Sequence, residues 1–124
     1  TTMNTICEDK QRLINHVKSI ASDLESGMTF EQCGMNAEEF FSEPDDMISG
    51  HDYLADCLDI QYIVNGEGEF LGARILVAFG GPNIWIDTLR STVDGYWWGD
   101  QHSEGYGFDA MGIEEVCREL WECK

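Results

Sequence analysis

Four short apolar runs between positions 58 and 98, each separated from the next by only a few residues, constrain this chain more than any other feature. Leu58 to Val64 ends at Asn65-Gly66, a dipeptide that favours a tight hairpin because both residues tolerate positive φ. Phe70 to Phe79 is rich in Ile, Leu and Val and reads as a central strand. Gly80-Gly81-Pro82-Asn83 is a turn, since Pro82 cannot donate to a continuing ladder. Ile84 to Thr88 alternates, with Ile84, Ile86 and Thr88 on one face and Trp85 and Asp87 on the other. Val93 to Trp98 is the fourth run. Connections this short imply an antiparallel meander.

Helices are expected at both ends. Thr5-Ile6-Cys7-Glu8 has the form of a capping box, and Leu13, Val17, Ile20 and Leu24 make one apolar stripe, so a helix is predicted from Thr5 to Ser26 with Gly27 as its C-cap. A Gly-rich loop from Gly99 to Phe108 leads to a second helix, which Asp109 can cap. Its stripe is Ile113, Val116, Cys117, Leu120 and Trp121. Positions 28 to 56 are irregular: Asn36 caps a short helix through Phe41, Pro44 closes it, and another starts near Ser49 to hold Tyr53 and Leu54. The expected fold is one α+β domain over residues 1–124, a four-stranded antiparallel meander with the N- and C-terminal helices packed on one face. A hydrophobic fraction of 43% supplies its core.

Charge narrows the function. Twenty-four acidic residues oppose seven basic ones, a formal net charge of −17. Such a surface repels nucleic acid and anionic membranes and attracts basic proteins. Between Lys18 and Arg74 there is no Lys or Arg, while the carboxylates run from Asp23 to Glu69, so this window is the expected negative face. No apolar run is long enough to span a bilayer, and the N-terminus shows no secretory pattern, so a cytoplasmic protein is expected. The five cysteines, at 7, 33, 57, 117 and 123, are odd in number and form no C-x-x-C pair, which reads as reduced thiols.

Catalytic chemistry finds little support, and no enzyme and no cofactor are expected. His16 lies on the first helix; His51-Asp52 and the run from Asp100 to Glu104 around His102 match no metal-ligand spacing with a known mechanism. Cys33 and Cys57 have no adjacent cation, and the surrounding carboxylates oppose thiolate formation. Tyr96, Trp97 and Trp98 could suggest base stacking, but stacking platforms operate in positive grooves. Consecutive strand residues face opposite ways, so one of Trp97 and Trp98 is expected in the core and the other exposed, joined by Trp85 and rimmed by Asp87, Asp94 and Asp100.

The segment Gly80 to Thr88, followed by Gly95-Tyr96-Trp97-Trp98-Gly99-Asp100, resembles small acidic proteins carried by bacterial phages, plasmids and other mobile elements. The likeness covers roughly Tyr53 to the C-terminus. It implies an anti-CRISPR or anti-restriction inhibitor, a kind of protein of which some imitate nucleic acid, that binds a basic CRISPR effector or nuclease in the bacterial cytoplasm. No functional residue transfers with the likeness. From charge and position, the expected contact residues are Asp45, Asp46, Asp52, Asp56 and Asp59, with Asp87, Asp94, Trp98 and Asp100 on the sheet. Two other readings stand beside this one: an immunity or antitoxin-like protein that neutralises a basic toxin, and a small metal-binding enzyme module using His51 and His102. The exposed aromatics also suit a homodimer.

Overall fold

A computed structural model describes the backbone from residue 2 to residue 123 and the side chains from residue 8. The chain opens with α1 (Thr2–Ser26), then two short helices, α2 (Phe30–Cys33) and α3 (Gly50–Leu54), with a single 3₁₀ turn (Ala37–Phe40) between them. Five strands follow, β1 (Asp59–Val64), β2 (Phe70–Ala78), β3 (Asn83–Asp87), β4 (Thr92–Trp97) and β5 (Asp100–Gly105), and α4 (Ile113–Glu122) ends the fold. The sheet order is β1-β2-β3-β4-β5, antiparallel throughout. The architecture is the expected α+β meander with helices at both ends, but it has five strands and not four.

The additional strand replaces the predicted Gly-rich loop. Trp98 and Gly99 both adopt positive φ, 50° and 86°, and form a two-residue turn that folds β5 back on β4. Such a turn matches the natural twist of paired strands, which is why it closes hairpins. The Asn65-Gly66 expectation fails in the opposite sense. The Asn65 side-chain carbonyl accepts from the amides of Glu67 and Glu69, the connection widens, and positive φ falls at Gly68. An Asn side chain that bonds its own following backbone stabilises such a wider turn. At the N-terminus, α1 already runs through Thr5, so Thr5 is interior to the helix and its side chain lies outside those described.

One face of the sheet carries the core. α1 packs across β4 and β5, α4 packs on β2, and α3 rests against α4. Leu13, Val17 and Leu24 of α1 meet Ile75, Ile84, Ile86 and Val93 of the sheet and Ile113, Val116 and Cys117 of α4 in one buried cluster. Gly95 is what lets α1 approach: a Cβ there would stand 2.5 Å from a Val17 methyl and 2.8 Å from a Leu13 methyl. The predicted stripes hold, except that Leu120 is exposed at the end of α4.

Asp109 secures the start of α4, although Gly112 occupies the N-cap position. Its two carboxylate oxygens accept from the Ile113 and Glu114 amides at 2.9 and 3.0 Å. Those amides would otherwise be orphaned at the helix start. Asp109→Ala is expected to cost about 1–2 kcal/mol by urea unfolding, the usual loss for a removed cap. A change within about 0.3 kcal/mol of zero would show that solvent satisfies these amides equally well.

Candidate functional site

The acidic segment is folded, not a tail. Thr29 and Gln32 form a reciprocal capping box on α2, Asn36 caps the 3₁₀ turn, and Ser49 and Asp52 form a second box on α3. Backbone bonds from Phe30 to Asp46, from Glu31 to Pro44 and from Ile48 to Met28 close the intervening loop on itself. Phe30, Ala37, Ile48 and Leu54 anchor it in the core. Glu31, Glu38, Glu39, Glu43, Asp45, Asp46, Asp56 and Asp59 are consequently held outward and exposed. Among the described residues, the ion pairs with Lys or Arg engage only Asp9, Glu114 and Glu115, so none involves a carboxylate between Asp23 and Glu69.

The expected contact residues divide into distinct groups. Asp45, Asp56 and Asp59 are exposed. Asp46 is exposed too, but its Oδ2 accepts from the Glu43 amide at 2.8 Å and shapes the turn. Asp52 is half-buried and serves the α3 cap. Asp87 and Asp94 are buried, at 5% and 3% exposure, and do not form an acidic rim. Asp87 turns back to accept from the Arg90 amide at 3.0 Å, and Asp94 accepts the hydroxyl of Ser103, its neighbour on β5, at 2.7 Å. Alternation placed both on the far face correctly; local bonding and crowding by neighbours then removed them from solvent.

Trp97 packs against the core while Trp98 is 84% exposed, the division expected of consecutive strand residues. Trp98 itself sits in the β4–β5 turn, not on the sheet face. Trp85 lies on the open face, across from Asp94 and covered by the Arg74 guanidinium at 4.6 Å from its ring centroid. Trp98 instead joins Trp97, Asp9 and Asp100 around a cleft of about 410 Å³ beside α1. The indoles meet nearly edge to face, with centroids 5.6 Å apart and planes at 80°.

The histidines do not converge. His51 Nε2 lies 3.2 Å from Glu119 on α4, whereas His102 Nε2 lies 2.7 Å from Glu104 on β5. Among the described residues no three His, Cys, Asp or Glu side chains gather as a metal-ligand group. Among the described residues no helix is long and apolar enough to cross a membrane. Cys33, Cys57, Cys117 and Cys123 are free thiols. Burial, then Asp23 and Asp56, push the Cys33 thiol up; burial, then Asp59, raise that of Cys57.

Two features were not anticipated from the sequence. A second cavity of about 320 Å³ is lined chiefly by sulfur and apolar groups, including Met28, Cys33, Met35, Ile48, Tyr53 and Cys57. Its lining comes from α2, α3, the loops beside them and β2, which no local pattern connects. Asp9 is the other omission: its proximity to the two tryptophans depends on where α1 crosses the sheet. No known protein family, curated protein or solved structure matches the chain significantly.

Proposed function

We propose that this protein is an acidic inhibitor from a bacterial mobile element, binding the basic nucleic-acid-binding surface of a CRISPR or restriction complex. The reading is carried by one observation: the folded acidic segment from α2 to the start of β1 displays exposed carboxylates without Lys or Arg partners among the described residues. A rigid array of negative charge can replace phosphates in a basic groove, because the groove recognises charge at fixed spacing more than base identity. Anchoring matters as much as charge. Phe30, Ile48 and Leu54 fix the segment beforehand, so little ordering entropy is lost on binding.

Such an interaction is expected to be strongly salt-dependent, since the Debye length shrinks from about 10 Å at 0.1 M salt to about 3 Å at 1 M. The test is phage plating efficiency on strains that each carry one CRISPR or restriction system, with and without the protein expressed. Rescue of phage in one system supports the reading and identifies the target. A broad panel in which plating never changes would remove it.

A further inference from the structure

We infer that the cleft formed by Asp9, Trp97, Trp98 and Asp100 receives an arginine side chain of the partner protein, an inference that rests on the partner-binding reading above. Among the described residues the lining is two indoles and two carboxylates, around about 410 Å³. A guanidinium suits both components. It stacks on an indole face as a planar cation and offers a fork of donors to a carboxylate. An anion would be repelled, and a neutral apolar group would strip water from two carboxylates without replacing their hydrogen bonds.

The molecule already contains half of this arrangement in Arg74 over Trp85. In the cleft the corresponding cation is absent among the described residues. The Arg12 guanidinium lies 3.9 Å from Asp9, yet Arg12 lines the adjoining cleft with His16 and Pro82 and not this one. Asp100 has no ion pair among the described residues. Trp98 adds an independent argument. This bulky residue is held at φ 50°, a left-handed conformation that residues other than glycine seldom adopt, while its side chain stays in solvent. The fold gains little burial from that indole, whereas a ligand stacked on it would.

An arginine on a protein surface fits better than a small free cation. The cleft is open at the side of the molecule, and Trp98 projects from a turn, where a protruding side chain can reach it. The probe is therefore the peptide acetyl-Gly-Arg-Gly-amide, titrated into the full chain while the tryptophan indole N–H signals are followed by NMR. The Trp97 and Trp98 signals should move and those of Trp85 and Trp121 should not. Replacing arginine by citrulline, which keeps the shape and removes the charge, should weaken binding about tenfold or more. Asp100→Asn and Trp98→Ala should each have a similar effect, read on Trp97 in the second case.

Equal binding of the citrulline peptide, equal or better binding of a lysine peptide, or no movement of these two indoles would each overturn the assignment. Both variants alter solvent-accessible groups, and an otherwise unchanged amide spectrum verifies the fold. Peptide binding and phage rescue are separate readouts. Failure of the titration alone condemns the arginine site, and failure of rescue alone condemns the inhibitor reading.

Discussion

Replacing Asp45, Asp56 and Asp59 together by lysine is expected to abolish inhibition while leaving the protein folded. These three carboxylates are exposed, and none accepts a hydrogen bond or joins an ion pair among the described residues, unlike the neighbouring Asp46 and Asp52. Their loss therefore removes no cap and no turn. The net charge of −17 already repels itself, so adding cations should leave stability equal or slightly higher. Binding responds very differently. Each reversal replaces an attraction with a repulsion at the partner's basic surface, where opposed like charges cost several kcal/mol. The assay is inhibition of the identified target at about 0.1 M salt, where exposed charges still act over about 10 Å. A folded triple variant with full potency would rule out recognition through this segment.

The same variant carries an internal control. After burial, Asp59 is the largest influence raising the Cys57 thiol, and Asp56 acts in the same direction. Lysine at both positions should lower that pKa and speed alkylation of Cys57, which confirms that the local field has inverted. Asp46→Lys and Asp52→Lys would be poorer tests, since each also removes a carboxylate that organises the backbone.

What the sequence reveals and conceals follows from the range of each interaction. Periodicity located the core stripes of α1 and α4 and the alternation of β3, because burial on one face repeats at a fixed interval. Ser49 and Asn36 marked short helices because capping is decided within a few residues. Thr29-x-x-Gln32 is the same signal, and it marks α2, which periodicity alone missed. β5 carried no comparable sign. Asp100-Gln101-His102-Ser103-Glu104-Gly105 contains no β-branched or aromatic residue, and it is held by the Trp98-Gly99 turn and by pairing with β4. Asp87 and Asp94 show the opposite difficulty. Their face was legible, but their burial was not, because it depends on Ser103 in the strand alongside and on the Arg90 amide after β3. The cleft at Trp98 required the placement of α1 over β4 and β5, a tertiary relation with no local trace.

Stability should be nearly constant just below pH 9 and fall steadily between about pH 9 and 12 as folded and unfolded chains bind different numbers of protons. Burial, followed by Cys57, Asp109 and Glu114, pushes the Cys117 thiol from 9.0 to about 12. Burial, followed by Asp23 and Cys33, pushes the Tyr53 hydroxyl from 10.0 to about 12, and burial likewise raises Tyr106. In this window the unfolded chain has released these protons and the folded chain still holds them. The unfolded state then binds fewer protons, so stability declines as pH rises, by at most about 1.4 kcal/mol per pH unit for each group. Below pH 9 both states are protonated and the contribution is fully present. Urea unfolding at a series of pH values measures the slope. Cys117→Ala, although it opens a small cavity at every pH, should flatten the portion that begins near 9, while Tyr53→Phe should flatten the portion above 10. An unchanged slope in both variants would mean that other groups drive alkaline unfolding. The expected flattening would establish that Cys117 is kept as a neutral core side chain, since a thiol protonated to about pH 12 has almost no thiolate with which to act as a nucleophile near neutrality.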